Sequence, residues 1–211
     1  MNLSTIQQFF YQSPVTYILM FVVFVVSACG FLNKKLFYRL ILHPQSVIRD
    51  KQYYRVLTAD LANADLMHLL LNEFMLFVFC TNLEYTLRTK SPYGSLEFLT
   101  IYASGLLLAS AIIIARHYKE FSYSTTGTSG SIMGCMFGFM LVAPNYIVSH
   151  LPVIGQVKNI YGGLVYIVVL ILYQRRKKEE LINNEYHFYG AIGGILATLI
   201  LHPEILTGIR G

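Results

Sequence analysis

A stretch rich in hydroxyls and glycines, STTGTSGSIMG at residues 124–134, leads directly into the apolar run CMFGFMLVAP. Ser129 stands where that apolar segment should begin as a helix. The first amides of a helix have no intrahelical acceptor and carry the positive end of its dipole, so they could stabilise an oxyanion beside a serine. A plain N-cap is the alternative for Ser129 or a neighbouring hydroxyl. Capping does not account for the surrounding glycines, which are Gly127, Gly130 and Gly134.

The last two of these glycines form a small-xxx-small pair, which lets another helix approach closely. A similar pair follows a histidine near the end of the chain, where His187, Gly190 and Gly194 fall on one helical stripe. If the two glycine faces meet, His187 comes within reach of Ser129 and could act as its general base. The alternative for His187 alone is a histidine at the membrane interface.

A further polar pair, His68 and Asn72, is spaced four residues apart, which places both side chains on one face of a predicted helix. Both side chains can donate hydrogen bonds, so together they could hold a developing negative charge. An interhelical hydrogen bond that only aids packing is the alternative. The sequence contains no HExxH motif, which disfavours a zinc protease, and we predict no metal site.

Composition indicates a membrane protein, because 55% of the 211 residues are hydrophobic and 13% are charged, against about 25% charged in a soluble domain. We predict one all-α membrane domain over residues 1–211. Its six spans are near the ~20 residues needed to cross a bilayer. They are Val15–Leu32, Leu66–Leu87, Leu96–Ala115, Ser129–Val148, Ile160–Tyr173 and Tyr186–Leu206. The connection at about Asn33–Asp65 is too polar to span, and we expect it to lie partly in the interface.

Topology brings the polar clusters together. Spans two, four and six run in the same direction, so all three begin at the same membrane face. We therefore expect His68, Asn72, Ser129 and His187 to lie near one another. Such a group could activate a serine and stabilise a tetrahedral oxyanion. A transporter is a competing class, since glycine-broken helices with polar residues also form substrate pathways, but no inverted repeat supports it.

The ordered set of motifs resembles the rhomboid family of intramembrane serine proteases over about residues 15–206. Gly127-Thr-Ser129-Gly130 with Gly134 resembles the family's GxSGxxxG motif, and His187-xx-Gly190-xxx-Gly194 resembles its sixth-helix motif. His68-xxx-Asn72 resembles its HxxxN motif, Tyr54-Arg55 its aromatic-Arg motif, and Glu84 an acidic residue of its second helix. By itself the Tyr54-Arg55 pair would predict an interfacial anchor.

The resemblance implies a six-helix bundle with a water-filled cavity open to one face. It implies Ser129 as nucleophile, His187 as general base, and an oxyanion hole formed by the Ser129 amide, His68 and Asn72. Substrates would be single-span membrane proteins, cut near small residues, and no metal or organic cofactor is implied. The alternative is a catalytically silent pseudoprotease of the same fold that binds membrane clients.

Three positions depart from the family pattern. Asn63 stands where many relatives carry a second histidine, which puts the ordering of the loop or oxyanion hole in question. Tyr186 stands where the residue before the sixth-helix histidine is usually small, and we expect it to crowd span four or to point elsewhere. Tyr54 replaces the usual tryptophan of the aromatic-Arg motif.

Charge gives conflicting evidence on orientation. The net charge is +5, and the basic residues sit in short loops, which favours anionic lipid headgroups over nucleic acid as partners. The loops on the face of the predicted site hold 12 of the 16 Lys and Arg residues, and the other face holds 4. The positive-inside rule would place the site in the cytoplasm. The resemblance implies a bacterial inner membrane with the site facing outward, and we keep that orientation.

The short fifth span is a candidate lateral gate. It is followed by the basic run Arg175–Lys178 and the acidic loop Glu179–Glu185. A loosely held helix would let a substrate helix enter sideways. A plain charged loop is the alternative interpretation.

Overall fold

The computed structural model describes residues 11–151, 155–161, 164–165, 168 and 184–207. Within them the chain is mostly helical. The helices, in chain order, are α1 (Pro14–Leu32), α2 (Lys34–Leu40), α3 (Pro44–Arg49), α4 (Arg55–Leu61), α5 (Leu66–Lys90), α6 (Gly94–His117), α7 (Ser129–Val142), α8 (Asn184–Leu201) and α9 (Glu204–Thr207). Two strands, β1 (Ile147–Leu151) and β2 (Gly155–Lys158), lie between α7 and α8.

Helices α1, α5 and α6 are long and apolar enough to cross a membrane, as predicted for the first three spans. Each extends one to three residues beyond a predicted end, as α5 does by continuing from Leu87 to Lys90. One π-helical turn, Leu76–Cys80, interrupts α5. The Thr81 hydroxyl bonds to the Phe77 carbonyl beside it.

The predicted fourth span is too long at its C-terminal end. Helix α7 ends at Val142, not at Val148, because the proline after Ala143 disfavours helical backbone at that residue. The β-branched residues that follow enter β1, which pairs antiparallel with β2. The prediction of a purely helical fold therefore misses a hairpin. With 14 residues α7 is only about 21 Å long, and its first seven residues are all buried.

The predicted sixth span is also too long at its C-terminal end. Helix α8 stops at Leu201 because Pro203 follows, and the short α9 begins at Glu204. The predicted fifth span falls largely outside the described residues. The residues that are described in this part of the chain, 159–161, 164–165 and 168, are helical. The basic run proposed to cap the gate, Arg175–Lys178, also lies outside them.

The first loop forms three short helices, α2 to α4, and packs against the loop that precedes Ser129. Leu42 and Thr125 exchange backbone hydrogen bonds of 2.9 and 3.0 Å. Arg55 donates through Nη1 to the carbonyls of Tyr38 and Ile41, at 3.0 and 2.7 Å. The predicted anchor role suits only Tyr54, which is 48% exposed, because Arg55 is buried and braces the loop from inside.

Glu84 joins three helices at the other end of the bundle. Its carboxylate accepts hydrogen bonds from the Thr16 amide at 2.8 Å, the Thr16 hydroxyl at 2.9 Å and the Ser95 hydroxyl at 2.7 Å. The Val15 amide donates to it as well, at 3.2 Å. A buried anion at the first turn of α1 satisfies amides that have no intrahelical acceptor and complements the helix dipole.

Helices α7 and α8 meet backbone to backbone through their glycines. A Cβ atom on Gly194 would overlap the Cα, C and O atoms of Gly134, and one on Gly190 would overlap the backbone of Gly130. Helix α6 joins the same contact, because a Cβ on Gly105 would lie 3.1 Å from the Gly130 carbonyl oxygen. The first turns of α7 and α8 are thereby held against each other.

Gly194→Ala should force these two helices apart, because the atoms facing the new methyl group belong to backbone and cannot rotate away. We expect a loss of about 1–3 kcal/mol of stability, measured by thermal unfolding in detergent. Gly30→Ala is the matched control, since the atom nearest to its Cβ would be in the Phe37 side chain, at an ordinary contact distance of 3.4 Å. Alanine is also the better helix former there. Equal stability of the two variants would contradict the close packing.

Candidate active site

Ser129 is the first residue of α7 and is buried, with 6% of its surface exposed. Gly127, two residues earlier, has φ +110°, a backbone conformation that favours glycine. Its amide donates to the Ala59 carbonyl at 2.9 Å, which ties this turn to α4. Thr128 occupies the N-cap without a side-chain capping bond, so the hydroxyls of this stretch do not serve as an ordinary cap.

His68 lies against the turn that precedes Ser129. A Cβ on Gly127 would be 2.5 Å from His68 Cε1 and 2.8 Å from its Nε2, so only glycine leaves room for the ring. The Asp65 carboxylate caps the start of α5 by accepting from the His68 amide at 2.8 Å. His68 Nδ1 is buried and has no hydrogen-bond partner in the described part of the chain.

Asn63 positions Asn72. The Asn72 side-chain amide donates to Asn63 Oδ1 at 2.6 Å. Asn63 is fully buried, and both its backbone and side-chain amides lie 3.1 Å from Ser27 Oγ on α1. The residue that departs from the family pattern therefore links the first loop, α1 and the HxxxN face of α5.

His187 lies in the first turn of α8 and is buried, with 7% of its surface exposed. Among the described residues, Ser129 and His187 make no hydrogen bond to each other. Glu185 pairs instead with Arg116 at 3.1 Å and His117 at 3.2 Å, so it is not a third member behind His187.

Tyr186 crowds α7, one of the two outcomes expected for it. A Cβ on Gly130 would lie 2.5 Å from its Cε1 atom, so the ring occupies space that any other residue at 130 would need. The Tyr186 hydroxyl lies 3.2 Å from Ser110 Oγ on α6. The aromatic ring is 2% exposed and fills the contact between α6, α7 and α8.

Asp60, a buried acid on α4, is not among the site residues predicted from sequence. Its Oδ1 accepts from the Ser131 hydroxyl at 2.6 Å, and its Oδ2 accepts from the Tyr102 hydroxyl at 2.5 Å. Burial raises the pKa of the Asp60 carboxyl to about 6, although the two hydroxyl donors act to lower it. A lone acid within the apolar run VLTADLANA is the signal that could have revealed it.

Comparison with known proteins identifies the family. The family model of the rhomboid domain matches residues 50–204 of this chain. The chain belongs to the rhomboid family. As a rhomboid-family member it carries all four predicted site residues within the matched segment, as well as Asp60 and Asn63. Ser27, which holds Asn63, lies outside that segment on α1.

Two curated rhomboid relatives come from Bacillus subtilis (strain 168). The rhomboid protease GluP is 28% identical over 157 residues, which cover 74% of this chain and 27% of that protein. The putative rhomboid protease YdcA is 27% identical over 157 residues, covering 72% of this chain and 69% of that protein. The chain thus spans about a quarter of the length of GluP and about two thirds of YdcA. Rhomboid membership and the apolar helices make it an integral membrane protein.

Asp60→Asn should remove a pH dependence of stability. Because the folded-state pKa of about 6 exceeds the ordinary 3.8, the folded state binds the proton more tightly than the unfolded chain. Wild type therefore loses stability as pH rises through this interval, while asparagine does not titrate. Between pH 3.8 and about pH 6, we expect the free energy of unfolding of the variant to rise by up to roughly 3 kcal/mol relative to that of wild type.

Thermal unfolding in detergent at several pH values measures this difference. Asp50→Asn, at an exposed position of the same loop, should leave the pH dependence of wild type unchanged. A difference between wild type and Asp60→Asn that stays constant with pH would contradict a titrating carboxyl at Asp60.

Proposed function

We propose that this chain is an intramembrane serine endopeptidase in which Ser129 is the nucleophile and His187 the general base. The observation that carries the proposal is the glycine contact between α7 and α8, which sets the first turns of both helices side by side. Each of those turns holds one buried reactive side chain. The names of the two relatives, both rhomboid proteases, support the same activity.

In this mechanism the neutral His187 imidazole takes the proton of Ser129 Oγ as the oxygen attacks the scissile carbonyl carbon. The imidazolium then gives that proton to the leaving amine, which breaks the peptide bond and leaves an acyl-enzyme. His187 then takes a proton from a water molecule as that water attacks the ester carbonyl carbon. The C–Oγ bond breaks, the imidazolium returns the proton to Ser129 Oγ, and the new carboxyl terminus of the substrate is released. Catalytic hydrogen bonds often tighten only when substrate binds, so a dyad does not require a Ser129–His187 bond in the free enzyme.

The oxyanion hole would consist of the Ser129 amide and the side chains of His68 and Asn72. The packing of His68 against Gly127 places its ring beside the turn that delivers Ser129. Asn72 has a second side-chain N–H besides the one it donates to Asn63, and that second donor would face the oxyanion.

The substrates would be single-span membrane proteins, cut in a locally unwound segment beside small residues. We propose that the complete bundle has six spans, with the fifth as a lateral gate and lipid around it. The three membrane-length helices and the short, buried α7 support this arrangement. The mechanism requires no metal or organic cofactor.

We further propose a bacterial inner membrane location with the site facing outward, which the Bacillus relatives support in part. The excess of Lys and Arg on the site's face opposes it by the positive-inside rule. Some of these basic residues serve the fold of the loop, as Arg55 does through its bonds to backbone carbonyls.

In right-side-out vesicles a membrane-impermeant fluorophosphonate should reach Ser129. Labelling that appears only after the vesicles are opened would contradict this orientation.

A pseudoprotease of the same fold is the second candidate. Two observations favour it: Ser129 and His187 share no hydrogen bond among the described residues, and one Asn72 donor is already bonded to Asn63. Such a protein would bind membrane clients through the same cavity without cutting them.

Ser129→Ala and His187→Ala decide between the two candidates. Purified wild type in detergent should react with a fluorophosphonate probe and cleave a single-span substrate, while both variants should lose labelling and cleavage. Ser122→Ala, in the preceding loop, and His202→Ala, beyond the far end of α8, are the controls and should behave as wild type. A folded wild type that neither labels nor cleaves would favour the pseudoprotease.

Asn63→Ala should lower kcat, because Asn72 would lose the acceptor that orients its side chain. We expect a fall of about tenfold or more, somewhat less than the loss of an oxyanion donor itself. Asn63→His, the residue of many relatives, should recover part of the rate. Asn82→Ala, whose amide bonds to the Val78 carbonyl far from the site, is the control. Full activity in Asn63→Ala would show that Asn72 needs no such support.

A further inference from the structure

Asp60 lies behind the candidate nucleophile. Helix α4 presents its carboxylate to two neighbouring helices at once, to Ser131 on α7 and to Tyr102 on α6. Ser131 is the third residue of the helix that begins at Ser129, and it is fully buried. The loop helix α4 thus holds the side chain of Ser131, while Tyr186 and the glycines of α8 pack against Gly130 and Gly134 of the same helix.

This carboxylate has little access to solvent, since Asp60 is 2% exposed. Burying a carboxylate is costly unless donors satisfy it, and here two short hydroxyl bonds do so. An apolar residue at position 60 would fill this place without that cost, but would give α7 no directional contact. Hydrogen bonds to a charged group are directional and roughly twice as strong as neutral ones. The arrangement therefore fixes the position of α7 at a cost to the stability of the fold.

Residues next to Asp60 on the first loop also bind the turn that precedes Ser129. Gly127 donates its amide to Ala59, the residue before Asp60, and the Thr126 hydroxyl donates to the Ala62 carbonyl at 2.7 Å. The backbone of α4 therefore holds the approach to Ser129, and the Asp60 side chain holds the turn that follows it.

We propose that Asp60 is a positioning residue for the nucleophile, acting through Ser131 to set the place and angle of the Ser129 hydroxyl. The inference rests on the proposed function for its catalytic consequence, whereas the restraint on α7 can be measured without activity. Asp60 touches no reacting atom, so its loss should lower the chemical rate and leave substrate binding unchanged.

The first test is hydrogen–deuterium exchange of the folded protein in detergent, followed over the amides of residues 127–134. Asp60→Ala and Ser131→Ala should each speed exchange there by about tenfold, the value of one lost hydrogen bond to a charged group. Thr58→Val is the matched control: it removes a hydroxyl bond from α4 to the Leu40 carbonyl, inside the loop, and should leave these amides unchanged. Unchanged exchange at 127–134 in Asp60→Ala overturns the proposal, whatever the activity.

The second test is the kinetics of fluorophosphonate labelling and of substrate cleavage. We expect kcat to fall about tenfold or more in Asp60→Ala with KM within about twofold, since a small misplacement of a reacting group costs rate. Asp60→Asn should recover most of the rate, because its carbonyl can accept from Ser131 while its amide donates to the Tyr102 oxygen. A raised KM with unchanged kcat overturns the proposal.

The third test measures the energetic coupling between Asp60 and Ser131. If Asp60 acts through Ser131, the double variant Asp60→Ala/Ser131→Ala should be no slower than Asp60→Ala alone. Additive losses would contradict the route through Ser131. If Asp60→Ala does not fold, Ser131→Ala and Tyr102→Phe each remove one bond to the carboxylate, and both should reproduce the loss in kcat. An inert wild type with faster exchange in Asp60→Ala would refute the proposed protease while upholding the restraint.

Discussion

The arrangement of the candidate site depends on one packing constraint, the contact without side chains between α7 and α8. Inside a membrane the hydrophobic effect does not drive helices together, so close van der Waals packing and hydrogen bonds must do so. Gly134 and Gly194 allow backbone to touch backbone, and Gly105 admits α6 to the same place. Because the contact involves no flexible side chain, it fixes the first turns of both helices and with them Ser129 and His187.

The loop between α1 and α5 supplies the second half of the site. Leu42, between α2 and α3, exchanges backbone hydrogen bonds with Thr125. Ala59 and Ala62, at α4, accept from Gly127 and Thr126 in the turn before Ser129. Asn63, at the end of this loop, orients Asn72 and is itself held by Ser27. The spans therefore set the depth of the reactive groups, and the loop sets their local geometry.

Sequence could predict what depends on short spacing or on composition. The first three spans followed from apolar runs of membrane length, and the glycine stripes followed from helical periodicity. Two helix ends were placed too late, because local proline restraints at Pro144 and Pro203 outweigh apolar composition there. A hairpin at Ile147–Leu151 could not be distinguished from a helix end by hydrophobicity alone.

The side-chain network was beyond reach of the sequence for a different reason. The bonds of Asp60 to Tyr102 and Ser131 join residues 42 and 71 positions apart, so they depend on how three elements pack. Spacing within a single helix carries no information about such pairs. The bonds of Asn63 to Ser27 on α1 and to Asn72 on α5 likewise join separate elements, so they could not be predicted from spacing.

The departure at Tyr186 illustrates how one bulky residue is accommodated beside His187, the candidate general base. Its ring lies over Gly130, where a Cβ would collide with it, so the glycine that suits the nucleophile motif also makes room for the aromatic ring. Its hydroxyl meets that of Ser110 on α6. A buried polar group is tolerated only when its neighbours satisfy it, and the Ser110 hydroxyl provides such a partner for Tyr186.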